Sequence, residues 1–137
     1  MTVEIHPGPG SLRAVVSGEF SLDEAKRAFL EILDAVARHR AGKVLVDGRG
    51  LKGKPNFIQR FLFARFAAHA VASRPERGAP HTSQFAYLLR EPMFEPRRFG
   101  ETVAVNRGMW VRSFDNPDDA LEWLGWRAGD PAPGGRA

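Results

Sequence analysis

The stretch Asp47-Gly48-Arg49-Gly50-Leu51-Lys52-Gly53-Lys54-Pro55 gathers the side chains most able to do chemistry in this chain. Asp47 ends an apolar run, which places its carboxylate beyond the carboxyl end of a strand, where open α/β sheets bind ligands. Gly48, Gly50 and Gly53 satisfy G-x-G-x-x-G, and Gly48 with Gly53-Lys54 satisfies G-x-x-x-x-G-K. Neither pattern is complete. A phosphate-binding loop needs Ser or Thr after the Lys to hold Mg²⁺, and Pro55 offers neither a hydroxyl nor an N–H. The next apolar run ends in Arg90, where a nucleotide hydrolase would place an Asp. A dinucleotide site needs an acid roughly 20 residues on, and Ser73 and Arg74 stand there. What survives is a weak anion-binding group, Arg49, Lys52 and Lys54 ahead of a helix N-terminus, with Asp47 beside them. The plainer reading is a solvated basic loop and an Asp that makes a turn.

Other catalytic constellations are missing from the sequence. There is no cysteine, hence no thiolate nucleophile, disulfide or thiolate metal site. His6, His39, His69 and His81 lack metal-ligand spacing, and no G-x-S-x-G nucleophile elbow occurs. Glu91 and Glu95 lie past a strand end without a partner in sequence. We expect no catalytic residue, no metal and no cofactor.

Stepping outward, the elements that position these residues alternate. Val3 to His6 and Leu12 to Ser17 read as strands of a hairpin turned by Pro7-Gly8-Pro9-Gly10. Ser21 and Glu24 form the signature of a capping box opening a helix to Arg40, stopped by Gly42. Leu22, Ala25, Ala28, Phe29, Ile32, Leu33 and Val36 share one arc of that helix, and its charges fill the other. Lys43 to Asp47 reads as a buried strand, residues 48–55 as a loop, Asn56 to Ser73 as a second helix, and Gln84 to Leu89 as a strand. Residues 101–114 support two readings: a helix from about Pro96 to Arg107 followed by a strand, or a hairpin. Asn116-Pro117-Asp118-Asp119 opens a last helix with a cap, a proline at the first turn and acids on the positive dipole end. The expected fold is one α/β domain over residues 1–126. Its four- to five-stranded, mostly parallel sheet has an N-terminal hairpin and helices packed on its faces. Residues 127–137 read as a disordered tail.

Composition narrows the function classes. The chain has 137 residues, enough for one domain, with 43% apolar and 26% charged residues. The net charge of +4 is scattered, with Arg13, Arg38, Arg60, Arg77, Arg97 and Arg127 far apart, whereas a nucleic-acid module gathers its cations. No nucleic acid is therefore expected as partner. Neither an export signal nor a membrane span is apparent, which fits a cytoplasmic protein.

Three stretches carry a family resemblance: Gly18-Glu19-Phe20-Ser21 before the first helix, Val44-Leu45-Val46-Asp47-Gly48-Arg49-Gly50, and Asn106-Arg107-Gly108-Met109-Trp110-Val111-Arg112-Ser113-Phe114 followed by Ala120-Leu121-Glu122-Trp123-Leu124. Across residues 2–126 the chain resembles the STAS/SEC14-type family, bacterial domains similar to anti-sigma-factor antagonists. The resemblance implies a sheet with helices on its faces and a non-enzymatic, regulatory role in binding protein partners. It also implies, for antagonists of the usual type, a switch by phosphorylation of Ser or Thr at the start of the second helix. Here no Ser, Thr or Tyr occurs between Asp47 and Ala72, so that switch does not carry over.

The second helix is apolar on more than one side. At about 100° per residue Phe57 and Phe61 lie opposite Phe63 and Phe66, and no broad polar face remains. Phe57 and Phe61 are expected to anchor the helix to the sheet. Phe63 and Phe66, with Arg74 at the rim, are expected to meet a second copy in a homodimer. Alternatives are cover by Met93, Phe94 and Phe99 within the chain, or a small hydrophobic, lipid-like or anionic ligand.

Overall fold

The computed structural model describes residues 1–73 and 83–126. Arg74, His81 and the expected tail 127–137 lie outside the described residues.

Strand β1 (Thr2–Gly8) pairs antiparallel with β2 (Ser11–Glu19), from Thr2↔Ser17 to Gly8↔Ser11. The turn between them is Pro9-Gly10, with Gly10 at φ 62°, a conformation that glycine adopts without steric cost. Helix α1 (Leu22–His39) follows, then β3 (Lys43–Lys52), α2 (Phe57–Ala72), β4 (Gln84–Leu88), α3 (Phe99–Asn106), β5 (Val111–Phe114) and α4 (Pro117–Leu124). The five strands lie in chain order, and every pairing after the first is parallel. A mixed sheet with helices on both faces is the α/β architecture expected.

Alternation along the strands sends two sets of side chains to opposite faces. Leu12, Ala14 and Val16 of β2, Val44 and Val46 of β3, and Phe85 of β4 join the larger core with α1, α2 and α3. Leu45, Ala86, Leu88 and Phe114 face the other way, against Ala120 and Leu124 of α4. The buried arc of α1 is the expected one with Ala35 added, except that Leu22, in the first turn, is only half-buried. Its cap is only half of a capping box: Ser21 Oγ accepts the Glu24 N–H at 3.2 Å, but the Glu24 carboxylate turns to Arg27 and the amino terminus. The helix also stops earlier than expected, with Arg40 rather than Gly42 in the left-handed region at φ 51°. Residues 101–114 form the helix and strand, not the hairpin, and α3 begins at Phe99 rather than Pro96.

Two expectations are corrected. Gly48 to Lys52 is no loop but the second half of β3, paired as Ser17↔Gly50, Gly18↔Leu51 and Glu19↔Lys52 beyond a register shift. The glycines serve close approach rather than turning: a Cβ on Gly48 would fall 2.7 Å from Leu89 Cδ2, and one on Gly50 would fall 2.9 Å from Ser17 Cβ.

The facing of α2 is the second. Its buried residues are Ala64, Ala67, Ala68, Ala70 and Val71. Phe57, expected as an anchor, is 64% exposed and stacks on Phe99 at 4.2 Å between ring centroids. Phe63, expected at the outer surface, sets its ring edge-on to Phe29 at 5.9 Å. Phe66 lies under the Lys26 ammonium of α1, 5.3 Å from its ring centre. The small residues win the inner positions because they let α2 approach its neighbours closely, with the ring of Phe63 filling the space beside α1.

Candidate functional site

Asp47 and Arg49 stand two positions apart on β3, where its register against β2 shifts. The Arg49 guanidinium donates to the two Asp47 oxygens, Nε to Oδ1 at 3.0 Å and Nη2 to Oδ2 at 2.8 Å. The Arg49 backbone N–H adds a third bond to Oδ1 at 3.2 Å. Burial by itself would raise the Asp47 carboxyl, but those hydrogen bonds, with the charges of Arg49 and Arg13, outweigh it and hold the group below the usual carboxylate range. Asp47 is thus an ionised structural partner of Arg49. Lys52 and Lys54 stand exposed further along the chain, so of the four residues grouped by the sequence only Asp47 and Arg49 are brought together. The α2 N-terminus beyond them carries its own cap: Asn56 Oδ1 accepts the Gln59 N–H at 2.8 Å, and Gln59 Oε1 accepts the Asn56 N–H at 2.9 Å.

On the opposite side of the sheet lies a feature the sequence reading missed. A cleft of about 170 Å³ opens between the sheet and helices α1, α2 and α3. Val46 and Tyr87 form part of its floor, Phe29 and Ile32 come from α1, Phe63 from α2 and Met109 from the turn before β5. Its volume exists because the helix positions over it are small. Ala25, Ala28, Ala64, Ala67 and Ala104 all line it. That alanine pattern, on three helices, is the one signal in the sequence that could have disclosed it. For scale, an engineered apolar cavity of roughly 150 Å³ in another protein accommodates benzene. Tyr87 sits on an inner strand yet stays half-buried because its ring borders this space, and burial pushes its phenol up, so it remains protonated.

The cleft reaches the carboxyl ends of β3 and β4, where Gly48, Leu51 and Leu89 line it. The chain from Pro92 to Arg98 passes over this end and is tied to α2: Arg60 donates to the carbonyls of Met93 at 2.9 Å and Pro92 at 2.8 Å. Glu95 closes the start of α3, its two oxygens accepting the N–H groups of Phe99 and Arg97, each at 2.7 Å. Glu101 accepts the Ser113 N–H at 2.7 Å. Arg98 also lines the cleft, in the left-handed region at φ 53°. Its Nε is buried without a hydrogen-bond partner, and the nearest acid, Glu101, is 3.8 Å away.

A third feature is the shoulder where α2 begins. Phe57 and Ile58 are each 64% exposed. Among the described residues no three His, Asp or Glu side chains gather as a metal site needs, and no helix is long and apolar enough to cross a membrane.

No family model matches the chain. In fold it is similar to the solved structure of an anti-sigma factor antagonist from Mycobacterium paratuberculosis, with a TM-score of 0.56 and 18% identity over 90% of this chain and 93% of that one. At that identity the likeness establishes the fold: this is an α/β domain of the antagonist type in its architecture. In sequence the chain is 25% identical over 118 residues to aldehyde dehydrogenase family 7 member B4 of Arabidopsis thaliana. The match takes in 82% of this chain, which spans about a fifth of that relative's length, 21%.

Proposed function

We propose that this chain is a non-enzymatic regulatory domain that acts by binding a protein partner at the shoulder where α2 begins. The observation that carries the reading is the pair Phe57 and Ile58, adjacent in the first turn and both 64% exposed. Contiguous exposed apolar surface on a small domain is the usual mark of a docking site. The antagonist-like fold supports a regulatory role. The start of α2 is also the element at which the resemblance places the phosphorylation switch, but here the cap is Asn56, which has no hydroxyl to modify. Docking at this shoulder is therefore independent of phosphorylation there.

Crosslinking tests this. A photo-crosslinking side chain placed at position 57 in cells that make the protein should trap one defined protein, and Ile58→Glu should abolish the product. The same group at position 31, on the polar face of α1, should trap nothing comparable. No product at 57, or equal products at 57 and 31, refutes the docking site. A trapped second copy makes the partner the homodimer.

A second reading has its own observation behind it. The cleft opens to solvent and is lined mainly by apolar side chains of the sheet and three helices with a few polar groups among them, as small-molecule sites usually are, and this favours a bound small ligand.

A further inference from the structure

We propose that the cleft binds a small amphipathic carboxylate, its apolar body between the sheet and the helices and its carboxylate on Arg98. The inference rests on the second reading above, that the cleft holds a ligand, and adds the class of ligand.

The charges at this site are satisfied to unequal degrees. Four charged side chains line the cleft: Arg60, Glu95, Arg98 and Glu101. Arg60 spends its donors on the Pro92 and Met93 carbonyls. Both oxygens of Glu95 accept backbone N–H groups, and Glu101 accepts that of Ser113. Arg98 is the exception. Its only acid among the described residues is Glu101, in a loose ion pair at 3.8 Å that is too long for a hydrogen bond; no acceptor reaches its buried Nε, its side chain is 34% exposed, and its other close neighbour is the Phe94 ring, 5.8 Å away. A guanidinium held by no hydrogen bond and only a loose ion pair keeps donors to offer, and a carboxylate is the acceptor whose two oxygens match a guanidinium edge.

The backbone points the same way. Arg98 precedes α3 in a left-handed conformation that a non-glycine residue adopts at some cost, and its side chain makes no cap hydrogen bond, because Glu95 closes the helix start instead. The strained residue is therefore not explained by helix capping. It does set a cation in the lining of a mostly apolar space. Below it, Phe29, Phe63, Ala67 and Met109 offer only apolar surface, which suits a hydrocarbon body and excludes a second charge.

Calorimetric titration with octanoate and with 1-octanol separates the two parts. The wild type should bind octanoate more tightly than octanol. Arg98→Gly, chosen because glycine suits the left-handed backbone and keeps the fold, should weaken octanoate by about ten- to a hundred-fold and leave octanol unchanged. Arg98→Lys, which keeps the charge but loses the planar fork, should fall between. If octanol binds as well as octanoate and Arg98→Gly changes neither, the carboxylate assignment is overturned while the cleft remains a ligand site. If neither compound binds the wild type, this proposal and the ligand reading fail together.

Discussion

Separating Asp47 from Arg49 should reveal a coupled pair rather than two independent surface charges. Asp47 has 12% of its side chain exposed and Arg49 36%. Their two guanidinium hydrogen bonds and the Arg49 N–H bond therefore lie between the fully buried and fully solvated cases. Charge-assisted bonds in buried sites contribute about 1.5–3 kcal/mol each, exposed ion pairs about 0.2–1 kcal/mol. Discounting for the exposure of Arg49, the pair should couple by about 1–2 kcal/mol. Asp47→Ala should cost about 2–3 kcal/mol at neutral pH, since it strands Arg49 and removes the carboxylate that Arg13 also faces. Arg49→Met should cost about 1–2 kcal/mol, and the double variant less than the sum. Urea unfolding followed by tryptophan fluorescence measures all four corners of the cycle. Acid adds a second readout. The Asp47 carboxyl titrates below its ordinary value in the folded chain, so its contribution is fully present above the unfolded value of about 4 and disappears as the pH falls through the lower, folded value. The wild type should thus lose stability more steeply than Asp47→Ala as the pH falls below about 4. Additive single effects, within about 0.3 kcal/mol, together with parallel acid limbs, would refute the pairing.

Two further outcomes follow from the packing. Phe29→Ala removes a side chain that is 1% exposed and holds the rings of Phe63 and Phe85; it should cost about 3–5 kcal/mol and lower the melting temperature by roughly 10–15 °C in a chain of this length, and an unchanged melting curve would mean that α1 faces another way. Gly50→Ala should cost about 1–3 kcal/mol by overpacking, because its new Cβ meets the Cβ of Ser17 on the paired strand, not a flexible side-chain tip; circular dichroism melting checks it, and a stabilised variant would show that β3 does not run beside β2 there.

How much of this was legible from residues alone depends on the range of the forces involved. Helix α1 could be read because its cap, its charge pairs and its apolar arc are all local, repeating within a few residues of one another. The last helix was legible for the same reason, with Asn116 accepting the N–H groups of Asp118 and Asp119. The alternation of strands and helices, and with it the α/β class, followed from the same short-range patterns. Missing catalytic motifs were equally visible, since a proline at position 55 lacks a hydroxyl whatever the fold.

Tertiary structure decided what depends on neighbours distant in sequence. Gly48 and Gly50 look like a loop by composition, yet β3 runs on through them beside β2, and glycine fits there because Leu89 and Ser17 leave no room for a Cβ. Phe57 and Phe63 are equally apolar, so helical spacing could show that they lie on different sides of α2 but not which side meets the protein. The answer depended on where α1 and the start of α3 lie, against Phe63 and Phe57 respectively. The cleft was invisible for the same reason. An empty volume is a property of side chains that fail to meet, and alanines on three helices enclose one only after the sheet has brought those helices together. Arg98, ordinary in the sequence, became distinctive only when folding set it in the lining of that cleft with no hydrogen bond from its Nε.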